Sequence, residues 1–587
     1  MKPLANFFAF RALDPEIEHL IEARLEKWFS VHVPARQIVS KCHDWTVFAV
    51  PLASTELTSI SVQPDPSSLI VISQGYDELA SCRARVGTPG SWDDVIDLSI
   101  TTPGRLSNIP GDFTYFATHR SLGSVGVRSA SGLAPLYLYQ DSNLTCLSTL
   151  ASYLVSFLGS RAQIDPLVWA AFSSGCTVLP DNRSFIKNAR MIQPGEAVVI
   201  RSGRPARFVS YFDPVPTDWK LPNEANRKDH QVVLRECLLA NLSSGLSQDN
   251  ANLLALSGGV DSSSLGALAV NELGLEVASV SLLPPRGAPG EVKERGYVEH
   301  LGERVPFTTQ LTYGLDLPRL IDLVQQVPDV GFPVPHSVFC GLPMFIEDLI
   351  AKGNIIETVF SGEHADEICG SYVTLPDWAI STGFRELVRS IPRLPTGPKD
   401  FVRWVAWRYM WKVGHPRIYM PKELLAMFSE DLRQEYREWR SRHIANADTS
   451  GPWPFLRLWR TQAGWVSMGW EVCSALGLRR VLPFLSRELV ELVYQCHPCE
   501  LVGPATKKIL RGALDGLVPD KNLYRPDKGS NIIPEYGSIR WGKPPGQLIQ
   551  EVLTESWREV REEVGYPEIF PLAILHRAGN SWDSLAR

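Results

Sequence analysis

The sequence lacks any uncharged apolar run long enough to cross a bilayer, any run of Lys or Arg, and any internal repeat or low-complexity segment. The first absence excludes a helical membrane span. The second, with a formal net charge of −6, removes the electrostatic reason to expect a nucleic acid partner. The start, MKPLANFFAFRALDPEIEHL, has an apolar patch, but Arg11, Asp14, Glu16 and Glu18 interrupt it too soon for a signal peptide. A cytoplasmic protein is expected. Cysteine is sparse, with ten scattered residues and a single CxxC, Cys496 to Cys499 in CHPCE. No further ligands stand at zinc-site spacing, so reduced, mostly buried thiols are expected. A Walker A loop is also missing, since no GxxxxGK[ST] occurs.

What is present begins with LLALSGGVDSSSL, residues 253–265. The apolar residues 253–256 read as a short buried parallel strand. Ser257, Gly258 and Gly259 let backbone amides approach an anion, and Ser262, Ser263 and Ser264 suit the first turn of a following helix whose positive end faces that anion. Asp261 would repel a phosphate unless a divalent cation bridges the two, which is the usual role of Mg2+. The loop therefore implies a metal–nucleotide complex.

A second loop, TVFSGEHADEICGSY over residues 358–372, follows the apolar run 355–360. It again places carboxylates just past a strand end. In doubly wound sheets the ligand crevice lies outside the carboxyl ends of the strands, so both loops can face one nucleotide. Asp366 and Glu367 would then complete the magnesium site with Asp261.

The wider pattern fits two units. Residues 1–215 alternate short apolar runs with Gly, Pro and Ser turns, as a β-rich sandwich does. The stretch 211–229 carries three prolines and many charges and marks the boundary. Beyond it come a strand over 277–283, a helix over 292–304, a strand over 307–313, and helical patterns over 317–327 and 342–351, the alternation of a parallel sheet with helices on both faces. After Tyr372 the pattern is almost all helical. Nine of the seventeen Trp fall between Trp378 and Trp470, and Trp404, Trp407 and Trp411 share one helical face. That stripe reads first as core, and second as an anchor for an apolar peptide.

SGGVDS, SGEHADE, VLPFLSRELVELV over 481–493 and KKILRGALDGLVPDKNLYRPDKGSN over 507–531 together resemble the synthetase domain of the asparagine synthetase family, whose chemistry is that of the ATP pyrophosphatases. That family includes β-lactam synthetases and lasso peptide cyclases. The stretches 111–139 and 191–200 are similar to its glutaminase domain. The resemblance implies an α+β, Ntn-hydrolase-like sandwich over 1–215, followed over 225–587 by an α/β, doubly wound parallel-sheet ATP pyrophosphatase domain with a helical C-terminal part. Such glutaminase domains use an N-terminal Cys. Position 2 here is Lys and the first Cys is Cys42, so the domain is expected to be degenerate and structural.

The resemblance further implies ATP and Mg2+ as cofactors, with Leu256, Ser257, Gly258, Gly259, Asp261, Ser262 and Gly362 at the nucleotide, and Ser279, Val280 and Ser281 offering backbone groups to the adenine. Asp261 and Asp366 are the implied metal ligands. Lys528 matches the region of the family's essential lysine, although Pro526 and Asp527 separate it from Arg525 more widely than the family pattern does. Glu363 matches the glutamate of GEGxDE as a candidate general base. His364 replaces a glycine there, Glu471 matches a glutamate before PFLD, and Ser486 replaces the Asp of that string.

The resulting expectation is a lasso-type cyclase: ATP activates a side-chain Asp or Glu carboxyl of a precursor peptide, and the peptide's own N-terminal amine closes a macrolactam. A leader peptidase and a precursor-recognition protein would be its partners. Two alternatives stay open. One is an ammonia-dependent asparagine synthetase or a β-lactam-synthetase-like small-molecule cyclase; the other is an inactive nucleotide-binding scaffold.

Overall fold

The computed structural model describes residues 5–32, 38–42, 44–51, 68–74, 92–109, 111–173, 179–214, 224–284, 286–287, 290–314, 323, 326–327, 337–370, 429–445, 463–501 and 507–525. Lys528 and the Trp404, Trp407 and Trp411 stripe lie outside these, as does most of the helical pattern over 317–327.

The N-terminal part is built from β1 (Ala5–Ala12), α1 (Pro15–His32), β2 (Ile38–Cys42), β3 (Trp45–Pro51), β4 (Ser68–Gln74), α2 (Trp92–Thr101), β5 (Thr114–His119), β6 (Gly123–Val127), β7 (Tyr137–Gln140), β8 (Leu144–Ser148), α3 (Ala151–Leu158), α4 (Pro166–Ser173), β9 (Ala189–Met191), β10 (Glu196–Ile200) and β11 (Arg207–Ser210). Two antiparallel sheets form, ordered β2-β3-β1-β8-β7-β9 and β11-β10-β6-β5-β4. Strand alternation sorts their side chains. Phe7 and Ala9 of β1 meet Leu69, Val71, Phe116 and Val198 in a core between the sheets, while Phe8 and Phe10 face outward onto Ile17 and Ile21 of α1. On the far side Ile70 and Ile72 pack on Val95, Ile96 and Ile100 of α2. The result is four layers, helix on sheet on sheet on helix.

The rest of the chain supplies α5 (Glu224–Gly245), β12 (Ala251–Ala255), α6 (Val260–Ala267), β13 (Val277–Leu283), α7 (Glu291–Gly302), β14 (Thr309–Gly314), α8 (Ser337–Ala351), β15 (Ile356–Ser361), α9 (Ala365–Ile368), α10 (Glu430–Ala445), α11 (Ala463–Ala475), β16 (Arg479–Val481), α12 (Arg487–Gln495), α13 (Pro498–Leu501), α14 (Lys508–Ala513) and α15 (Asp520–Leu523). Its five strands are all parallel, ordered β14-β13-β12-β15-β16. Both faces are covered. Leu253 joins the core under α8 and α11, and the adjacent Leu254 joins the core under α5, α6 and α12. This explains why the strands read as continuous apolar runs rather than alternating ones.

Over the described residues the chain is thus a mixed α/β protein with one parallel and two antiparallel sheets. One expectation is corrected: β16 interrupts the region after Tyr372 that reads as helical. It is a three-residue edge strand, Arg479-Arg480-Val481, too short and too charged to give an alternation signal.

Two apolar clusters run without a break from the N-terminal sandwich into the parallel sheet. Polar contacts reinforce that seam. Trp470 Nε1 donates to Asn6 Oδ1 at 3.0 Å, and Arg487 Nη2 donates to the Ser107 carbonyl at 2.7 Å.

Candidate active site

Strand order reverses between β12 and β15, the one neighbouring pair at the centre of the sheet whose connections leave in opposite directions. Ala255 pairs with Ser361, so the loops that follow start level with each other at this switch point. They touch at Gly362, where a Cβ would come within 2.7 Å of Asp261 Cβ and 3.0 Å of Ser262 N. Only glycine permits that approach.

The SGGVDSS loop is closed by its own serines. Ser262 Oγ accepts from Ser257 N at 3.0 Å and lies 3.1 Å from Ser257 Oγ. Gly258 sits at φ +68, and a Cβ there would lie 2.9 Å from Tyr297 Cβ, so the position needs glycine for both reasons. Asn522 of α15 pins the loop from outside, donating to the Gly258 carbonyl at 3.1 Å and the Tyr297 carbonyl at 2.9 Å. Arg525 supports the same corner, with Nη2 2.6 Å from Glu294 Oε1 and its guanidinium 4.2 Å over the Tyr297 ring.

Asp261 and Asp366 come together across the two loops on one cation. The group between them is Lys507: its Nζ is 2.8 Å from Asp366 Oδ1 and bonds both oxygens of Asp261. Lys507 is buried in a left-handed conformation, φ 59, immediately before α14. Burial by itself would lower its ammonium; the two carboxylates outweigh burial and raise it. Arg511, one helical turn on, is also buried close to Asp261, and burial lowers its guanidinium while Asp261 opposes that. In the sequence Lys507 and Lys508 read as residues of a helix face, one of them able to touch phosphate. The signal available for more was the i,i+4 pairing of Lys507 with Arg511.

The other expected residues are distributed as follows. Leu256 is buried beneath the loop, and its N–H donates to the Val280 carbonyl at 2.8 Å. Ser279 and Val280 pair with β12 on one side and β14 on the other, which leaves Ser279 no free edge for a purine; Ser281 pairs with β14 alone. Glu363 is held by the buried guanidinium of Arg480, which also donates to the Val466 carbonyl and stacks 4.7 Å over the Phe339 ring. His364 sits at φ 66, which accounts for the glycine expected there. Glu367 is buried with Oε2 3.9 Å from His364 Nδ1, so its carboxylate is directed to the histidine side rather than into the Lys507 cluster.

Glu471 stands elsewhere. Its carboxylate accepts from Ala151 N and, at 2.8 Å, from Ser152 Oγ, closing the start of α3 in the N-terminal sandwich. Burial pushes it up to about 8, against the lowering effect of those donors. Ser486 caps α12, accepting from Leu489 N. Since Asp and Ser are both strong N-caps, the change from PFLD to PFLS preserves a structural role.

The model for asparagine synthase matches residues 234–581, more than half of the chain. The chain belongs to the asparagine synthase family. Members of this family are ATP-dependent amide-forming enzymes. A relative, the probable glutamine-hydrolyzing asparagine synthetase of Acanthamoeba polyphaga mimivirus, is 22% identical over 362 residues, covering 59% of this chain and 53% of that protein. The chain thus spans about half the length of that relative. Among solved structures, the glutamine phosphoribosylpyrophosphate amidotransferase from B. subtilis complexed with ADP and GMP is similar at TM-score 0.23 and 11% identity, over 54% of this chain and 92% of that one. Among the described residues, no helix is long and apolar enough to cross a membrane.

Proposed function

We propose that the chain is an AMP-forming amide ligase that closes a macrolactam in a ribosomal peptide. A side-chain Asp or Glu carboxylate attacks the α-phosphorus of ATP, displacing pyrophosphate, and the peptide's N-terminal amine then displaces AMP to form the amide. The observation that carries the ligase chemistry is the convergence of Asp261, Asp366 and Lys507 beside the glycine loop at the sheet's switch point.

The site suits Mg2+: the donors are hard carboxylate oxygens, and they already converge on one cation, the Lys507 ammonium. When bound there, the metal offsets charge on the departing pyrophosphate. Asp261 and Asp366 would hold it. Lys507, displaced from the carboxylates by that competing charge, would turn its ammonium to the phosphates, while the loop amides at Gly258 and Gly259 receive phosphate oxygens. Arg480 orients Glu363 at the rim, where it is placed to take the proton of the attacking amine.

Two features support an amine carried by the substrate itself. Cys42 and Cys146 are buried within sheet strands, and burial raises the Cys146 thiol well above its ordinary range, the opposite of an activated nucleophile. The seam contacts of α11 and α12 support a structural role for residues 1–215 against 225–587. A precursor peptide, a leader peptidase and a precursor-recognition protein belong to this reading. The similarity to an asparagine synthetase favours a second one, ammonia-dependent asparagine synthesis.

One reaction separates them: the protein with Mg2+, ATP, aspartate, ammonium and the leader-free peptide encoded beside its gene, analysed by mass spectrometry. Loss of one water from the peptide with AMP formed supports the cyclase. Asparagine with AMP supports the second reading, and absence of AMP under all substrates overturns the ligase assignment.

A further inference from the structure

We propose that His230, Cys496 and Glu500 form a zinc site that fastens α5 to the turn between α12 and α13. Sequence spacing offers no partner for Cys496 beyond its own CxxC, because His230 lies far upstream. The fold brings them together: the ligand atoms of all three lie within 4.8 Å of one another. His230 Nδ1 is 2.8 Å from Glu500 Oε2, and the other carboxylate oxygen accepts from His497 N at 2.8 Å. That backbone bond fixes the carboxylate at the start of α13 and aims Oε2 at His230.

The chemistry of the set selects the ion. A thiolate, an imidazole and a carboxylate are zinc ligands, whereas Mg2+ and Ca2+ take oxygen. Cys496 and Glu500 are almost fully buried, so two anions there need compensation. Zn2+ with one thiolate and one carboxylate is neutral. Bonds of about 2.0 to 2.3 Å put tetrahedral ligand atoms roughly 3.5 Å apart, so His230 and Glu500, now 2.8 Å apart, part slightly on binding. The His230 side chain is 25% exposed, which leaves water a route to the fourth position. Because α14 packs along α5 and Lys507 immediately precedes α14, the site also steadies the segment that delivers Lys507.

The test uses the full chain, stripped with a chelator and reloaded with Zn2+ or Co2+. One zinc ion per chain should survive gel filtration, and the Co2+ form should show a thiolate-to-cobalt charge-transfer band. That band should vanish in Cys496→Ser and persist in Cys237→Ser. His230→Ala, at a half-buried position, should weaken zinc retention against a competing chelator by at least about tenfold. A Co2+ spectrum of the wild-type protein without a thiolate band overturns the proposal, because cobalt at Asp261 and Asp366 meets oxygen alone. So does unchanged zinc affinity in His230→Ala, which would leave an ordinary His–Glu pair beside a buried thiol.

Discussion

Single residues decide most of the chemistry at the switch point. Lys507 and the two aspartates form a cluster in which the removal of any member leaves charge uncompensated. Asp261→Asn and Lys507→Ala should each lower pyrophosphate release by about two to three orders of magnitude, the range for loss of one preorganised charge at a reacting phosphate. Circular dichroism should show both variants folded. Equal release from wild type and Asp261→Asn would remove the metal assignment. Glu471 invites a different measurement. Its carboxyl titrates at about 8 when folded and in the ordinary range when unfolded, so its folded pKa is raised. The stability it contributes is fully present below the unfolded pKa and is lost as pH rises through about 8. Across that window wild type should lose roughly 1.4 kcal/mol per pH unit relative to Glu471→Gln. Denaturant titrations at several pH values would check the slope; parallel curves for the two proteins would refute it. These residues differ in how legible they are. Asp261 and Asp366 follow strand ends in the sequence and can be found there. Lys507 and Glu471 take their roles from partners 246 and 320 positions away, which no local pattern encodes.

At the scale of elements, the sequence carries the parallel sheet well, because buried strands of such a sheet are short apolar runs. The strand over 277–283 coincides with β13, and the helix over 292–304 is displaced by one or two residues from Glu291–Gly302. The helix that reads as 342–351 begins five residues earlier, at Ser337. Pro343 hides that start, since proline ordinarily marks a first turn rather than an interior position. Layering in the N-terminal sandwich is harder to see. Alternation indicates strands, but two-sided burial of β1, with Phe7 facing one core and Phe8 another, removes the polar face that alternation depends on. The cap of α12 gives a prediction at this level. Ser486→Ala should destabilise the protein by about 1 kcal/mol, and Ser486→Asp should restore it. Thermal melts of the three forms suffice, and failure of aspartate to rescue would mean that the serine does more than cap.

Across the whole molecule, the apolar clusters shared by the sandwich and the parallel sheet make the two parts mutually dependent. A fragment spanning residues 225–587 would expose the faces that now meet residues such as Tyr137, Leu154 and Val127, together with the buried Glu471 carboxylate. Expressed alone, it should aggregate or elute as large species in size-exclusion chromatography; a stable monomeric fragment with full pyrophosphate release would show the sandwich to be dispensable. If the fragment aggregates, the sandwich serves to cover the apolar faces it shares with the parallel sheet.

The pairing of Lys507 with Asp261 also has a temporal side. Ribosomes add roughly 5 to 20 residues per second, so the lysine leaves the ribosome on the order of 10 to 50 s after the loop it will neutralise. During that interval the two aspartates wait without their cation, and the loop lacks the Asn522 amide that pins Gly258. A half-made chain therefore lacks both contacts, and the loop reaches the arrangement described above only once residues 507–525 have been made.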